Sequence, residues 1–141
     1  MAFKATKADV WAVGIDDRAG GVADKLEHLA KAGASFEMVF ARRTPENPGK
    51  GMLFVTPVKG AKAIRAAREA GMGIPTTIFS VRVEGADRPG LGAKIARALG
   101  DAGVSFRGIS GVAIGRKFVS HIACDSAADQ VKAIAALKKL G

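Results

Sequence analysis

The chain has 141 residues, of which 48% are hydrophobic and 25% charged, and its formal net charge is +9. This composition is typical of a globular protein, and the length suffices for one ordinary domain or two small ones. It excludes a helical membrane protein, because no apolar run approaches the roughly 20 residues that a spanning helix needs. The first seven residues lack the apolar core of a signal peptide, so a cytoplasmic protein is expected.

The single cysteine and the spread of the basic residues exclude further classes. Cys124 allows no internal disulfide and no four-cysteine zinc site, and its apolar neighbours indicate a small buried side chain. Basic residues cluster only in pairs, such as Arg42-Arg43 and Arg116-Lys117. The charge therefore favours solubility and weak attraction to polyanions, and specific nucleic-acid binding is not expected.

The first half of the chain reads as strand, helix, strand, strand, helix. Alternating apolar residues predict a strand at residues 9–15, and residues 22–33 carry apolar side chains at helical spacing. Residues 35–42 and 52–56 are predicted strands of a hairpin whose turn is rich in Pro and Gly, and a helix is predicted at residues 60–70. This order opens a ferredoxin-like βαββαβ unit.

The second half repeats that order after a short link. Residues 72–76 can supply only a few residues of a fourth strand. The predicted strands are then 77–83, 104–111 and 118–124, and the predicted helices are 91–102 and 127–140. No closing strand follows the last helix. The sequence therefore predicts a second sheet with an open edge, and such an edge invites pairing with another chain.

The loop between strand and helix occurs twice at a constant spacing. Its two copies are Asp17-Arg18-Ala19-Gly20-Gly21 and Asp87-Arg88-Pro89-Gly90-Leu91. The same spacing pairs Ser35-Phe36 with Ser105-Phe106. The repeat predicts two domains, residues 1–75 and 76–141.

Each loop opens a predicted helix, whose first amides lack intrahelical partners and can hold a carboxylate. Asp17 and Asp87 could accept hydrogen bonds from an α-ammonium group, or could simply cap the turn. Arg18 and Arg88 could bind a second carboxylate, or could extend into solvent. The residues alone leave these alternatives open.

The second repeat resembles the opening of an ACT domain in four features. These are a strand, the loop Asp-Arg-Pro-Gly-Leu, an amphipathic helix and the following Ala-Gly-Val-Ser-Phe. Two copies resemble the small stand-alone tandem ACT proteins, although Ala19 and Gly21 depart from the pattern. The resemblance implies an α+β fold of two ferredoxin-like repeats packed side by side, with antiparallel sheets and helices on one face. It also implies a non-catalytic regulatory homodimer that binds an amino acid or similar metabolite and acts on an unknown target protein, without cofactor or metal.

The resemblance places the ligand at the strand-to-helix loops. The implied contact residues are Asp87, Arg88, Pro89, Gly90, Leu91 and Gly92, together with Asp17, Arg18, Ala19, Gly20 and Gly21. The second loop is expected to be the better site, because Pro89 pre-sets its turn and less entropy is lost on binding.

The sequence also bears on three rival functions. A nucleoside triphosphatase is disfavoured because Leu91-Gly92 stands where a Walker loop needs Lys-Ser/Thr. Other catalysis is not expected either, because His121 and Cys124 fall on opposite faces of a strand and form no cluster of titratable groups. An RNA-binding module needs exposed aromatics on its central strands. The candidates are predicted to lie in the core; they are Phe36, Phe54, Phe106 and Phe118. A structural module that uses a sheet edge without any ligand remains the third alternative.

Overall fold

The structure is a computed structural model and describes residues 3–140. The elements in chain order are β1 (Lys4–Ala8), β2 (Trp11–Asp16), α1 (Gly21–Lys31), β3 (Met38–Arg43), β4 (Lys50–Thr56), α2 (Ala61–Glu69), β5 (Phe79–Ala86), α3 (Leu91–Asp101), β6 (Phe106–Ile114), β7 (Lys117–Cys124) and α4 (Ala127–Lys138). None of the helices within this part of the chain is long and apolar enough to span a membrane.

The chain forms two compact units. The first-repeat unit is Asp9–Pro75, and the second-repeat unit begins at Thr76 and takes in strand β1 as well. The sequence-based division at residues 75 and 76 therefore differs from these units in the N-terminal segment, which lies with the second repeat.

The first-repeat unit contains an antiparallel sheet in the order β2-β4-β3. Side chains from one face, such as Trp11, Leu53 and Val55, are buried together with Leu29 of α1 and Ala67 of α2. Both helices therefore cover the same face of the sheet. The short fourth strand expected after α2 is reduced to one antiparallel bridge, between Ala12 and Gly73.

The second-repeat unit contains a four-stranded antiparallel sheet in the order β1-β5-β7-β6. Val81 and Ile122 point to the same core as three apolar residues of α3 and two residues of α4; these are Leu91, Ile95, Leu99, Ala133 and Leu137. The α+β class and the helices on one face of each sheet are thus confirmed.

Strand β1 closes the sheet edge that the sequence prediction leaves open. It pairs with β5 over five residues, from Lys4 opposite Glu84 to Ala8 opposite Ser80. Ala5 is 2% exposed and joins the core of the second-repeat unit. The closing strand of the second repeat is therefore supplied from the other end of the chain, and the expected open edge beside β5 is corrected.

Candidate ligand-binding site

The first predicted loop is a tight connection between β2 and α1. Gly20 has φ 86°, a left-handed conformation that favours glycine, and Gly21 begins the helix. A Cβ atom on Gly21 would lie 2.4 Å from the carbonyl oxygen of Asp16, so the chain passes too close for any side chain. The Gly21 N–H donates to the Arg18 carbonyl at 3.1 Å. This geometry explains why two glycines stand together here.

The second predicted loop has a similar backbone conformation but a different residue at the start of its helix. Gly90 has φ 83° and α3 begins at Leu91. The Leu91 side chain is 4% exposed and belongs to the core, so it contributes no side chain to a ligand site. Of the other predicted residues in this loop, Asp87, Arg88, Pro89, Gly90 and Gly92 are exposed. Gly21, the counterpart of Leu91, has no side chain, and its backbone lies close against the carbonyl oxygen of Asp16.

A cavity of about 600 Å³, here called the α1 cavity, opens beside the first loop. Its walls come from the end of β2, one face of α1, the start of β4 and the end of α2. The lining residues are Gly14, Ile15, Asp16, Arg18, Gly21, Asp24, Lys25, His28, Lys50, Glu69 and Ala70. Arg18 and Gly21 are the two predicted site residues that line it.

The other predicted residues of the first loop lie around this cavity without lining it. Asp17 and Arg18 contribute to a smaller cavity of about 190 Å³, which Arg42 and Arg43 also line. The Nε of Arg43 donates to Oδ2 of Asp17 at 2.7 Å. Ala19 and Gly20 are exposed. Asp17 is therefore engaged by an arginine that the sequence prediction did not associate with the loop.

Most charges in the α1 cavity are paired. The Nη2 of Arg18 lies 2.5 Å from Oδ2 of Asp24, and Nζ of Lys50 lies 2.6 Å from Oδ1 of Asp16. The Nε2 of His28 lies 3.5 Å from Oε1 of Glu69. The cavity thus holds three carboxylates, each already facing a basic group.

Lys25 is the exception. Its Nζ donates to the carbonyl oxygen of Ala70 at 2.9 Å, at the end of α2, and within residues 3–140 it makes no ion pair. A carbonyl oxygen offsets less charge than a carboxylate does, and an ammonium group has three donors. Lys25 therefore keeps positive charge and donor capacity for an anionic group in the cavity.

Asp16 is held in its ionised form by its surroundings. The hydrogen bond and the charge of Lys50, together with the charges of Arg18 and Lys25, lower the pKa of Asp16. An ionised carboxylate accepts hydrogen bonds and attracts cations. No group of three or more His, Cys, Asp or Glu side chains among the described residues is arranged to hold a metal ion. The cavity offers the charges needed to bind a small zwitterion.

The pairing of Asp16 with Lys50 predicts a measurable titration. Lys50→Met should raise the pKa of Asp16 towards its ordinary value, because the hydrogen bond and the nearest charge are lost together. A carboxyl-detected NMR titration measures this, with Lys59→Met, an exposed lysine outside the cavity, as the control. Since the folded-state pKa is depressed, the pair stabilises the fold above the unfolded value, and this contribution is lost as pH falls. An unchanged Asp16 titration in Lys50→Met would contradict the geometry.

The sequence prediction missed Asp24, Lys25, His28, Lys50 and Glu69. Three of them follow Gly21 on a single face of α1, and that spacing is the one signal that the sequence offers. A charged helix face usually faces solvent, so the spacing alone does not identify a site. Only the folded chain brings Lys50 and Glu69 to the same face.

No protein-family model matches the sequence, and no curated protein sequence matches it either. Solved structures do share its fold. Protein BT0572 from Bacteroides thetaiotaomicron superposes with a TM-score of 0.75 at 18% identity, over 93% of this chain and 88% of the other. The ligand-free regulatory subunit of aspartate kinase from Thermus thermophilus gives 0.65 at 18% identity, over 99% and 96%.

A putative C-terminal regulatory domain of aspartate kinase from Porphyromonas gingivalis W83 gives a TM-score of 0.57 at 17% identity, over 99% of this chain and 97% of the other. Likeness at such low identity concerns the fold. The α+β fold of two ferredoxin-like repeats, predicted from the sequence, is thereby confirmed.

Proposed function

We propose that this protein is a non-catalytic regulatory protein that binds an α-amino acid or a similar small metabolite in the α1 cavity. The observation that carries the proposal is Lys25, a cation that pairs with no carboxylate of residues 3–140, in a cavity that also holds three carboxylates. The shared fold with proteins named as regulatory subunits of aspartate kinase supports a regulatory role. Any output of such a protein passes through a partner protein.

The charges of the cavity suit a zwitterion. The α-carboxylate accepts hydrogen bonds from Lys25, close to the positive end of α1, while the α-ammonium group donates to Asp16 or Asp24. Catalysis is not proposed. Cys124 is buried, and burial raises the pKa of its thiol, so the nucleophilic thiolate form is disfavoured.

We place the ligand at the first loop, although the sequence favoured the second. The α1 cavity opens beside the first loop, whereas Leu91 at the second loop is a core side chain that offers no contact to a ligand. Asp87, Arg88, Pro89, Gly90 and Gly92 remain predicted contacts for a second site. A test of the proposal must therefore distinguish the two loops.

A thermal-shift screen against the twenty amino acids, followed by calorimetry on any ligand found, tests the site. Lys25→Met should weaken binding by roughly 10-fold or more, because a charge-assisted hydrogen bond is lost. Lys31→Met, on the same helix but outside the cavity, is the matched control and should bind like the wild type.

Gly92→Val reports on the second loop, since a Cβ there meets no atom within 4 Å. It should leave ligand binding unchanged. Binding that survives Lys25→Met and disappears in Gly92→Val would move the ligand to the second loop. Stabilisation by none of the amino acids would argue against an amino-acid ligand altogether.

We also propose that the protein is a homodimer. The edge beside β5 is closed by β1, so the proposal rests instead on the opposite edge of the sheet. The outermost strand β6 exposes apolar side chains along its length: Ile109 is 44% exposed, Val112 55% and Ile114 75%. A long apolar edge strand pairs readily with another chain, and natural proteins usually protect such edges with charges.

Val112→Lys should therefore convert a dimer into a monomer, because it places a charge on the edge strand. Sedimentation velocity at micromolar concentration measures the change. Val131→Lys, at an equally exposed valine on α4, is the control and should remain a dimer. A wild-type monomer would count against this assignment.

A further inference from the structure

Phe40 and Phe54 form an aromatic pair on the helix-free face of the first-repeat sheet. They lie directly opposite each other on β3 and β4, with ring centroids 6.3 Å apart and an interplanar angle of 44°. Leu53 and Val55, the strand neighbours of Phe54, point into the core, so Phe54 points to the other face. Phe40 is 48% exposed.

This placement corrects the sequence prediction for one of four phenylalanines. Phe36, Phe106 and Phe118 do pack against the two cores, but Phe54 does not. Strand β4 carries apolar residues on both faces, so its alternation alone could not tell which face is buried. The main argument against an aromatic binding face therefore fails for this sheet.

The surroundings of the pair are open on the β3 side and carry one arginine. Ala12 of β2 lies opposite Phe54, and the next row across the sheet holds Gly14, Met52 and Arg42. Ala12 is 8% exposed and therefore covered, whereas Gly14 is exposed, so the face is open chiefly around Phe40 on β3. The Nη1 of Arg42 donates to the carbonyl of Arg43 at 3.1 Å, and Arg42 has no carboxylate partner among the described residues.

We propose that this face, the Phe40–Phe54 platform, binds single-stranded nucleic acid without sequence preference. Nucleobases stack on exposed aromatic rings irrespective of sequence, because every base has a π-face. Arg42 lies one row of the sheet away from the rings. It neutralises a phosphate of the nucleic-acid strand whose bases stack on them. Sheets with exposed aromatic side chains are an established means of holding unpaired bases.

Charge complementarity selects this occupant over a second copy of the chain. Two copies brought face to face through the platform would oppose Arg42 to Arg42. A polyanion instead gains from Arg42 and from the net charge of +9. The platform lies on the face opposite the helices, whereas α1 forms part of the ligand cavity, so its function is independent of the metabolite proposal.

Fluorescence anisotropy with labelled oligo-dT and oligo-rU of about 12 nucleotides tests the platform, at about 50 mM and 150 mM salt. Micromolar binding that weakens with salt is expected. Phe40→Ala should weaken it about 5-fold or more at both salt concentrations, because the loss of stacking is not screened. Arg42→Gln should weaken binding chiefly at low salt and reduce its salt dependence.

Val39→Ala is the matched control. Val39 is 49% exposed and adjacent to Phe40, but it lies on the opposite face of the same strand, so binding should be unchanged. Circular dichroism confirms that each variant is folded. Three results would overturn the proposal: no binding at 50 mM salt, equal binding by Phe40→Ala and wild type, or equal binding of a duplex of the same length. A dimer that Phe40→Ala disrupts, without oligonucleotide binding, would assign the platform to a second copy instead.

Discussion

An Ala5→Glu variant should lose most of the stability of the second-repeat unit. Ala5 is 2% exposed, lies opposite Val83 on β5 and packs in the core. A glutamate there must bury a carboxylate without a partner, or else detach β1 from the sheet. Either outcome costs about 3–5 kcal/mol, a large part of the total stability of a small domain. Urea unfolding followed by circular dichroism measures the loss.

Thr6→Glu is the matched control for this prediction. Thr6 is the next residue on β1, is exposed and points to the opposite face of the sheet. Its replacement should change the stability by less than about 0.5 kcal/mol. Equal stability of the two variants would show that β1 does not close the second sheet.

Trp11, the single tryptophan, lies in the core of the first-repeat unit and reports on that unit by fluorescence. NMR spectra of Ala5→Glu should accordingly show the largest changes at Val81, Val83 and Ile122. If Ala5→Glu perturbed Trp11 alone, the N-terminal segment would belong to the first-repeat unit and not to the second-repeat unit.

The sequence predicted those elements whose apolar spacing is long and regular. The helix predicted at residues 91–102 is α3, and its apolar residues Leu91, Ile95 and Leu99 are 4%, 0% and 0% exposed. The duplicated loop also predicted the order of the elements in both halves. These features depend on local periodicity, which the chain carries without reference to its partners.

Strand β1 could not be predicted in the same way. It has five residues, and its two lysines and one threonine give no clear apolar alternation. What makes it a strand is its pairing with residues 80–84, which lie far away in the sequence. A local pattern contains no information on such a distant partner, and the sheet edge was expected to be open for that reason.

The candidate site was predictable only in part. The repeat identified the loops, because glycine pairs with a fixed spacing are visible in the sequence. The charges of the α1 cavity were not identified, because Lys25 and Asp24 look like ordinary solvated residues of an amphipathic helix. Their proximity to Lys50 and Glu69 arises from tertiary packing alone.

Gly21→Ala should destabilise the first-repeat unit and abolish ligand binding in the α1 cavity. The added Cβ would lie 2.4 Å from the carbonyl oxygen of Asp16, a backbone atom that cannot rotate away as a side chain could. The start of α1 must then move away from the end of β2, which lowers the free energy of unfolding by about 1–3 kcal/mol.

Gly92→Ala is the control for this last prediction, because Gly92 lies in the first turn of α3 and a Cβ there meets no atom within 4 Å. It should stabilise α3 by about 0.5–1 kcal/mol, since alanine favours the helix over glycine. Thermal unfolding of both variants therefore gives shifts of opposite sign. A Gly21→Ala protein as stable as the wild type would mean that β2 and α1 meet less closely than described. The shape of the α1 cavity would then not depend on the close approach of Gly21 to Asp16.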